Sequence, residues 1–360
     1  MNDITLTQNQ DTAASEAFMG RMCDILNSGA IAVMISMGHR LKLFDTMAGM
    51  PPSSSARIAE ETGMAERYVR EWLAALVTGR IIDYDPAEET YHLPRAHADC
   101  LTSDAPMGNI AVYAQMVAMG GAVHDRVIDC FWTGEGTSYG DYPCFHDVMA
   151  EDSQQTVVDA IDTTLRDLDP DIVPRLEAGI DVLDAGCGAG RAMIRLAGLF
   201  PRSRFVGYDL GSDAVAMATS EAARRGLDNV RFEVRDLTRT QTLGEFDMIT
   251  SFDAVHDMAD PAGLLRLIHA ALRPGGLHVM QDIGGSAKLE NNMDFDFAPL
   301  LYTVSCIHCT PVSIGQGGAG LGTMWGWETA ERMLKDAGFT SVTRTVFPHD
   351  PMNVWFVNRP

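Results

Sequence analysis

A chain of 360 residues has room for two domains with sizeable cores. Its 49 acidic residues against 27 basic ones give a net charge of −22, which disfavours nucleic acid and anionic membrane surfaces as partners. The longest apolar run, residues 29–38, is short of the roughly 18–20 residues a bilayer span needs, no basic-then-apolar leader opens the sequence, and seven scattered cysteines suit reduced thiols, so a cytoplasmic protein with no membrane contact is expected.

Residues 1–15 are polar and expected to be loose. From Ala17 to Ala48 apolar residues recur at helical spacing. Pro51-Pro52-Ser53-Ser54-Ser55 is a helix-start signal, and the segment to Leu73 shows a short helix, a turn at Gly63 and a second helix, which is helix-turn-helix spacing. Residues 81–84 and 90–93, separated by an acidic turn, suit a wing hairpin. A winged helix can read DNA or serve packing and dimerisation. Between Pro51 and Arg95 five arginines face eight acids, where a DNA reader should show a basic face, so dimerisation is favoured.

Phe131-Trp132 and the stretch from Tyr139 to His146 are aromatic and glycine-rich. Tyr139 and Phe145 are candidates to close over a substrate; ordinary core packing is the alternative.

Residues 182–191 run from an apolar strand into Asp184-x-Gly186-x-Gly188-x-Gly190. Glycines at spacing two allow a tight turn and close backbone approach to a ligand, and a dinucleotide fingerprint would need its third glycine where Arg191 stands. A second strand ends at Asp209-Leu210, where a carboxylate can accept ribose hydroxyls. A third ends before Asp236-Leu237, and a fourth, 246–252, leads into Asp253-Ala254-Val255-His256-Asp257-Met258. A fifth follows Arg273-Pro274-Gly275-Gly276. Strands are predicted near 180–185, 204–209, 230–235, 246–251, 276–282, 341–347 and 353–359, the last too close behind the sixth for a helical crossover and so antiparallel.

The order of these motifs resembles that of class I S-adenosylmethionine-dependent methyltransferases. With the winged helix, residues 20–360 resemble plant-type small-molecule O-methyltransferases and, more closely, a mycobacterial winged-helix methyltransferase family. Phe145 to Ser153 is similar to that family's F-x-x-x-M-x-x-x-S element, and residues 256–260 to its H-D-W-S-D, with Met258 in place of tryptophan. The implied fold is α/β: a Rossmann-like seven-stranded sheet behind a mostly helical winged-helix domain. The implied layout is dimerisation domain 1–100, helical connector 101–175 and methyltransferase domain 176–360 with an insertion at 284–326. The resemblance implies S-adenosylmethionine as cofactor, with Asp184, Gly186, Gly188 and Gly190 around its methionine part, Asp209 and Leu210 at the ribose, Asp236 and Leu237 at the adenine. Met149, Ser153 and the Phe252 backbone would lie nearby.

Methyl transfer from a sulfonium is an in-line displacement in which a positioned acceptor must be deprotonated if it is a hydroxyl, whereas a thiol is already partly ionised. His256, beside the cofactor, matches the histidine that the plant-type family uses as base; it can equally only line the pocket. The insertion holds Cys306, His308 and Cys309 ahead of six glycines between Gly315 and Gly326. C-x-H-C is not a usual zinc spacing, so no metal is expected, and the segment suits a substrate lid with His308, a reserve base, and Trp325 facing the pocket. Mere packing of the insertion is the alternative. The expected activity is methyl transfer to an O or S nucleophile of a small molecule by a homodimer; the 21 methionines and the cysteines near the pocket make a small thiol plausible. A cofactor-sensing winged-helix transcriptional regulator is the alternative.

Overall fold

In this computed structural model residues 2–360 are described, with side chains from residue 11 onward. Two compact units divide at Ala118/Met119.

The first unit is helical. It runs α1 (Asn2–Arg40), α2 (Leu43–Ala48), α3 (Ser55–Thr62), α4 (Glu66–Thr78), the strands β1 (Asp83–Asp85) and β2 (Thr90–His92), and α5 (Arg95–Leu101), with α6 (Ala111–Thr133) starting in it. Ser54 caps α3 by accepting from the Arg57 amide, and Gly63 ends it at φ 67°, a left-handed turn that suits glycine. β1 and β2 pair antiparallel, Tyr84 opposite Tyr91, as the expected wing. Ile58, Val69, Trp72, Leu73 and Leu76 bury the apolar faces of α3 and α4 against Leu43 and Phe44.

Two expectations for the N-terminus change. The polar stretch before Ala17 is helical from Asn2, consistent with helix formers such as Ala13, Ala14 and Glu16; Met1 lies outside the described residues. Asp11–Arg40 is, by length and composition alone, one helix apolar enough to cross a membrane. Glycines and single polar residues interrupt its apolar runs and hid this in the linear pattern.

The second unit continues with α7 (Phe145–Ser153), α8 (Ile161–Leu168), α9 (Ile172–Ala178), β3 (Asp181–Ala185), α10 (Arg191–Leu199), β4 (Arg204–Asp209), α11 (Ser212–Arg224), β5 (Val230–Val234), β6 (Phe246–Phe252), α12 (Pro261–Ala271) and β7 (Leu272–Ile283). After these come α13 (Ala298–Val304), α14 (Thr310–Gly315), α15 (Trp327–Asp336), β8 (Ser341–Phe347) and β9 (Asp350–Arg359). The seven-stranded sheet has the order β5-β4-β3-β6-β7-β9-β8, parallel except for β9, which pairs antiparallel with β7 and β8. This is the Rossmann-like topology expected. Neighbouring residues alternate between two cores: Leu183, Ile249, Met280 and Phe356 meet Leu264, Leu265 and Leu334 on one face, while Val182, Met248, Val279 and Trp355 meet Leu165, Met193 and Leu196 on the other.

The expected turn at Arg273-Pro274-Gly275-Gly276 lies inside β7, whose first residue already pairs with Phe246 before a register shift. The insertion is largely helical: α13 passes into a π-turn, Ser305–Cys309, and then α14 before the glycine-rich stretch. Strand order reverses between β4 and β6 around β3, so the C-terminal ends of β3, β4, β6 and β7 border one crevice.

Candidate active site

Glycines 186, 188 and 190 follow β3 with φ of 84°, 49° and 70°, conformations that favour glycine. Asp209, at the end of β4, braces the loop. One carboxylate oxygen accepts from the Gly188 amide and the other from the Gly211 amide, both at 2.7 Å. Leu210 beside it is exposed. Beneath the loop Asp184 is buried and accepts from Thr250 Oγ1 at 2.7 Å; burial pushes its carboxyl up to about 7. A Cβ on Gly186 would stand 2.7 Å from Ala254 Cβ and 3.2 Å from Met258 Cε, so the glycine loop abuts the turn that carries His256.

Other proposed cofactor residues border this edge. Arg191, first in α10, donates to the Ala150 carbonyl at 2.8 Å and so ties α7, with Met149 and Ser153, to the end of the glycine loop. Leu237 is buried, while Asp236 caps its own turn, accepting from the Thr238 hydroxyl at 2.6 Å and amide at 3.0 Å. Those bonds hold its carboxyl below the usual range. Phe252 closes β6, its ring 5.6 Å from Trp355.

His256 is 2% exposed and ringed by carboxylates. Its Nδ1 lies 2.9 Å from Asp282 Oδ1, at the end of β7, and 3.8 Å from Asp253 Oδ1; its Nε2 is 3.2 Å from Asp257 Oδ1. Burial by itself would depress this imidazole, but Asp282 and Asp257 outweigh it and hold the ring well above its ordinary range. Asp282 also accepts from the Trp325 indole and the Ile283 amide, so Trp325 is a buried brace for that carboxylate. Asp253 has φ 49°, rare for a residue with a side chain and a sign of local constraint.

Against this cluster stand the aromatic residues and the insertion. His308, on the π-turn, stacks on Phe145 at 4.2 Å, meets Tyr142 edge-on at 4.5 Å and lies 5.9 Å from Tyr139. Tyr142 donates to the Ile307 carbonyl, which fixes the π-turn to this aromatic group. Burial lowers His308 to about 4, so its ring stays neutral. Burial raises the Tyr139 phenol, and Asp257, Cys309 and Asp209 add to that; Tyr139 thus senses both the loop acid and the His256 turn. Next along the π-turn, Cys309 is buried beside His256 and Asp257.

Sequence reading missed Asp253, Asp257 and Asp282 as partners of His256, Tyr142 as a neighbour of His308, and His146 as a neighbour of Tyr139. Asp253 and Asp257 flank the histidine within the quoted motif. Asp282 ends a predicted strand next to that of His256, a position that could have signalled it.

A family model for the Rv2258c-like winged HTH domain matches residues 29–103, and one for a methyltransferase domain matches residues 176–338. The chain is 35% identical over 123 residues to trans-aconitate 2-methyltransferase of Deinococcus radiodurans, covering 34% of this chain and 45% of that one. It spans less than half the length of such curated relatives. Human N-acetylserotonin methyltransferase, solved in complex with SAM, superposes with a TM-score of 0.68 at 16% identity, covering 95% of this chain and 97% of that chain. The mitomycin 7-O-methyltransferase MmcR gives 0.69 at 18%, covering 97% and 100%. The chain thus joins an N-terminal winged helix-turn-helix domain of the Rv2258c-like kind to a methyltransferase domain of class I architecture.

Proposed function

We propose that the protein transfers the methyl group of S-adenosylmethionine to an oxygen or sulfur nucleophile of a small molecule. One observation carries this: the glycine loop braced by Asp209 touches the turn that presents His256. Cofactor at the first and acceptor at the second would be held for in-line displacement, and positioning of that kind supplies much of the rate. Asp184, Gly186, Gly188 and Gly190 would surround the methionine part, Asp209 and Leu210 the ribose, Asp236 and Leu237 the adenine, with Met149, Ser153 and Phe252 alongside.

His256, oriented by Asp282, is the base for a hydroxyl acceptor in its neutral form, and His308 is the next candidate. Tyr139 and Phe145 wall the acceptor. A cytoplasmic homodimer suits the protein. Supporting a second copy, α1 exposes Phe18, Met19, Ile25 and Leu26, and water is a poor cover for that much apolar side chain.

A cofactor-turnover screen across phenols, thiols, amines and carboxylates tests the activity. Asp209→Ala should weaken S-adenosylmethionine binding by roughly 1.5–3 kcal/mol in calorimetry, the scale for a lost charged acceptor. On a hydroxyl acceptor at pH 7, His256→Ala should lower turnover about 100-fold or more with cofactor affinity retained. Unchanged affinity in the first variant, or full turnover in the second, removes the corresponding role.

A further inference from the structure

We propose that His256 Nε2, Asp257 Oδ1 and Cys309 Sγ bind one divalent cation of borderline softness, zinc foremost, leaving a fourth position for the thiolate of a small acceptor. The three donors come from two places in the chain, the turn after β6 and the π-turn of the insertion, and their ligand atoms lie within 4.8 Å of one another. Tetrahedral zinc with its usual bond lengths separates a nitrogen and an oxygen ligand by about 3.4 Å. Nε2 and Oδ1 are 3.2 Å apart here. A mixed imidazole, carboxylate and thiolate set selects zinc over magnesium or calcium, and three protein ligands leave one position open.

The surroundings point the same way. Nδ1 of His256 faces Asp282 at 2.9 Å, the carboxylate–histidine arrangement that fixes a metal-binding ring with its other nitrogen free to ligate. Cys309 Sγ accepts from the Thr323 hydroxyl at 2.9 Å, and burial raises its thiol to about 12, so a bound cation is what would displace its proton. Asp257 Oδ1 is buried without a hydrogen-bond partner despite its nearness to Nε2, because the two are not aligned for one. Two side chains more than nine-tenths buried, Asp282 and His308, also keep unpartnered atoms in this cluster, Oδ2 and Nε2. Among the described residues the ion pairs of Asp253, Asp257 and Asp282 all run to the one imidazole; burial raises Asp253 to about 8, so it is the other two carboxylates that a dication would offset. The π-turn has a place in this, since its widened repeat delivers Cys309 to the cluster.

The cation's catalytic role rests on the methyl transfer proposed for this site, with a thiol as acceptor, where neutral His256 ligates the metal through Nε2 instead of acting as a base. A thiol that coordinates loses its proton to water. Its sulfur lone pair then forms the new S–CH3 bond as the methyl's bond to the sulfonium sulfur breaks, giving a thioether and S-adenosylhomocysteine with one proton released.

Full-length protein, stripped with a chelator and titrated with Zn2+ against a chromophoric competitor, should bind one equivalent; Co2+ in its place should show a thiolate-to-metal charge-transfer band. Cys309→Ser and Asp257→Asn should each lower Zn2+ affinity about 100-fold or more, and Asp282→Asn about 10- to 100-fold. Cys306→Ala, three residues from Cys309 and exposed, should change nothing. Absence of stoichiometric Zn2+ binding, absence of the Co2+ band, or full affinity in folded Cys309→Ser overturns the site. Calorimetry with S-adenosylmethionine on the same samples separates the two ideas: cofactor binding without zinc ends this inference alone, and zinc binding without the cofactor ends the methyl-transfer reading alone.

Discussion

Buried imidazoles in the C-terminal unit are shifted in opposite directions because their neighbours differ. His256 sits among three carboxylates, and Asp282 and Asp257 outweigh burial to raise it well above the usual histidine range. His278, fully buried in β7, hydrogen-bonds with the neutral groups Ser251 Oγ at 3.0 Å and Asn358 Nδ2 at 3.2 Å, and burial lowers it to about 3. The unfolded chain therefore gains a proton near pH 6.5 that the folded one refuses until about 3. This histidine's contribution is intact above pH 6.5 and is lost as pH falls, at up to about 1.4 kcal/mol per pH unit. His278→Gln keeps a polar group without that titration. Between pH 7 and 5.5, urea unfolding of wild type should lose about 1 kcal/mol more stability than this variant loses. Equal losses would show that His278 is already charged in the fold. No sequence pattern separates these two histidines; each is one ring near a strand, and what surrounds it comes from other strands.

At the scale of elements, the aromatic segment before α7 is fastened to the insertion by backbone. The Thr137 amide donates to the Pro311 carbonyl at 2.9 Å, and Gly136 and Gly315 pass each other without room for a side chain. A Cβ at Gly315 would collide with the Thr137 carbonyl. Gly315→Ala should push α14 off residues 136–142, loosening the wall formed by Tyr142, Phe145 and His308. Turnover should then fall at least about 10-fold while S-adenosylmethionine affinity, which the glycine loop would set in the proposed reading, stays within about twofold. Equal loss of both would place this contact in general folding. The glycine loop was legible from spacing because strand, acid and three turn-forming residues adjoin in sequence. The contact between Gly136 and Gly315 was not, since nothing local marks which of the six glycines between Gly315 and Gly326 must be bare.

For the whole molecule, net charge and exposed apolar surface make opposite demands. A charge of −22 keeps chains apart from each other and from phosphate backbones, yet α1 leaves Phe18, Met19 and Leu26 each more than 60% exposed. Burial of this face in a second copy would reconcile the two. Sedimentation should give a dimer, Leu26→Glu with Met19→Glu should shift it toward monomer, and fluorescence anisotropy should show no binding of random duplex at low salt, where electrostatic association is strongest. A monomeric wild type or tight duplex binding would overturn this arrangement and favour a regulator.

What the sequence by itself determined was whatever is encoded between near neighbours. Helix-turn-helix spacing with a wing, alternation of strand and helix, the antiparallel last strand and the glycine loop with Asp209 all follow from short-range stereochemistry and periodicity. Composition could not locate the acceptor side. Cys306, His308 and Cys309 were weighed as one cluster because they adjoin, whereas packing turns Cys306 outward, stacks His308 on Phe145 and carries Cys309 to His256 and Asp257. Asp282 reaches the same histidine because β6 and β7 are hydrogen-bonded neighbours, and Trp325 becomes its brace. The surroundings of His256 and of the aromatic group at His308 depend on residues far apart in the chain, and only the sheet order together with the helical insertion brings them within reach of one another.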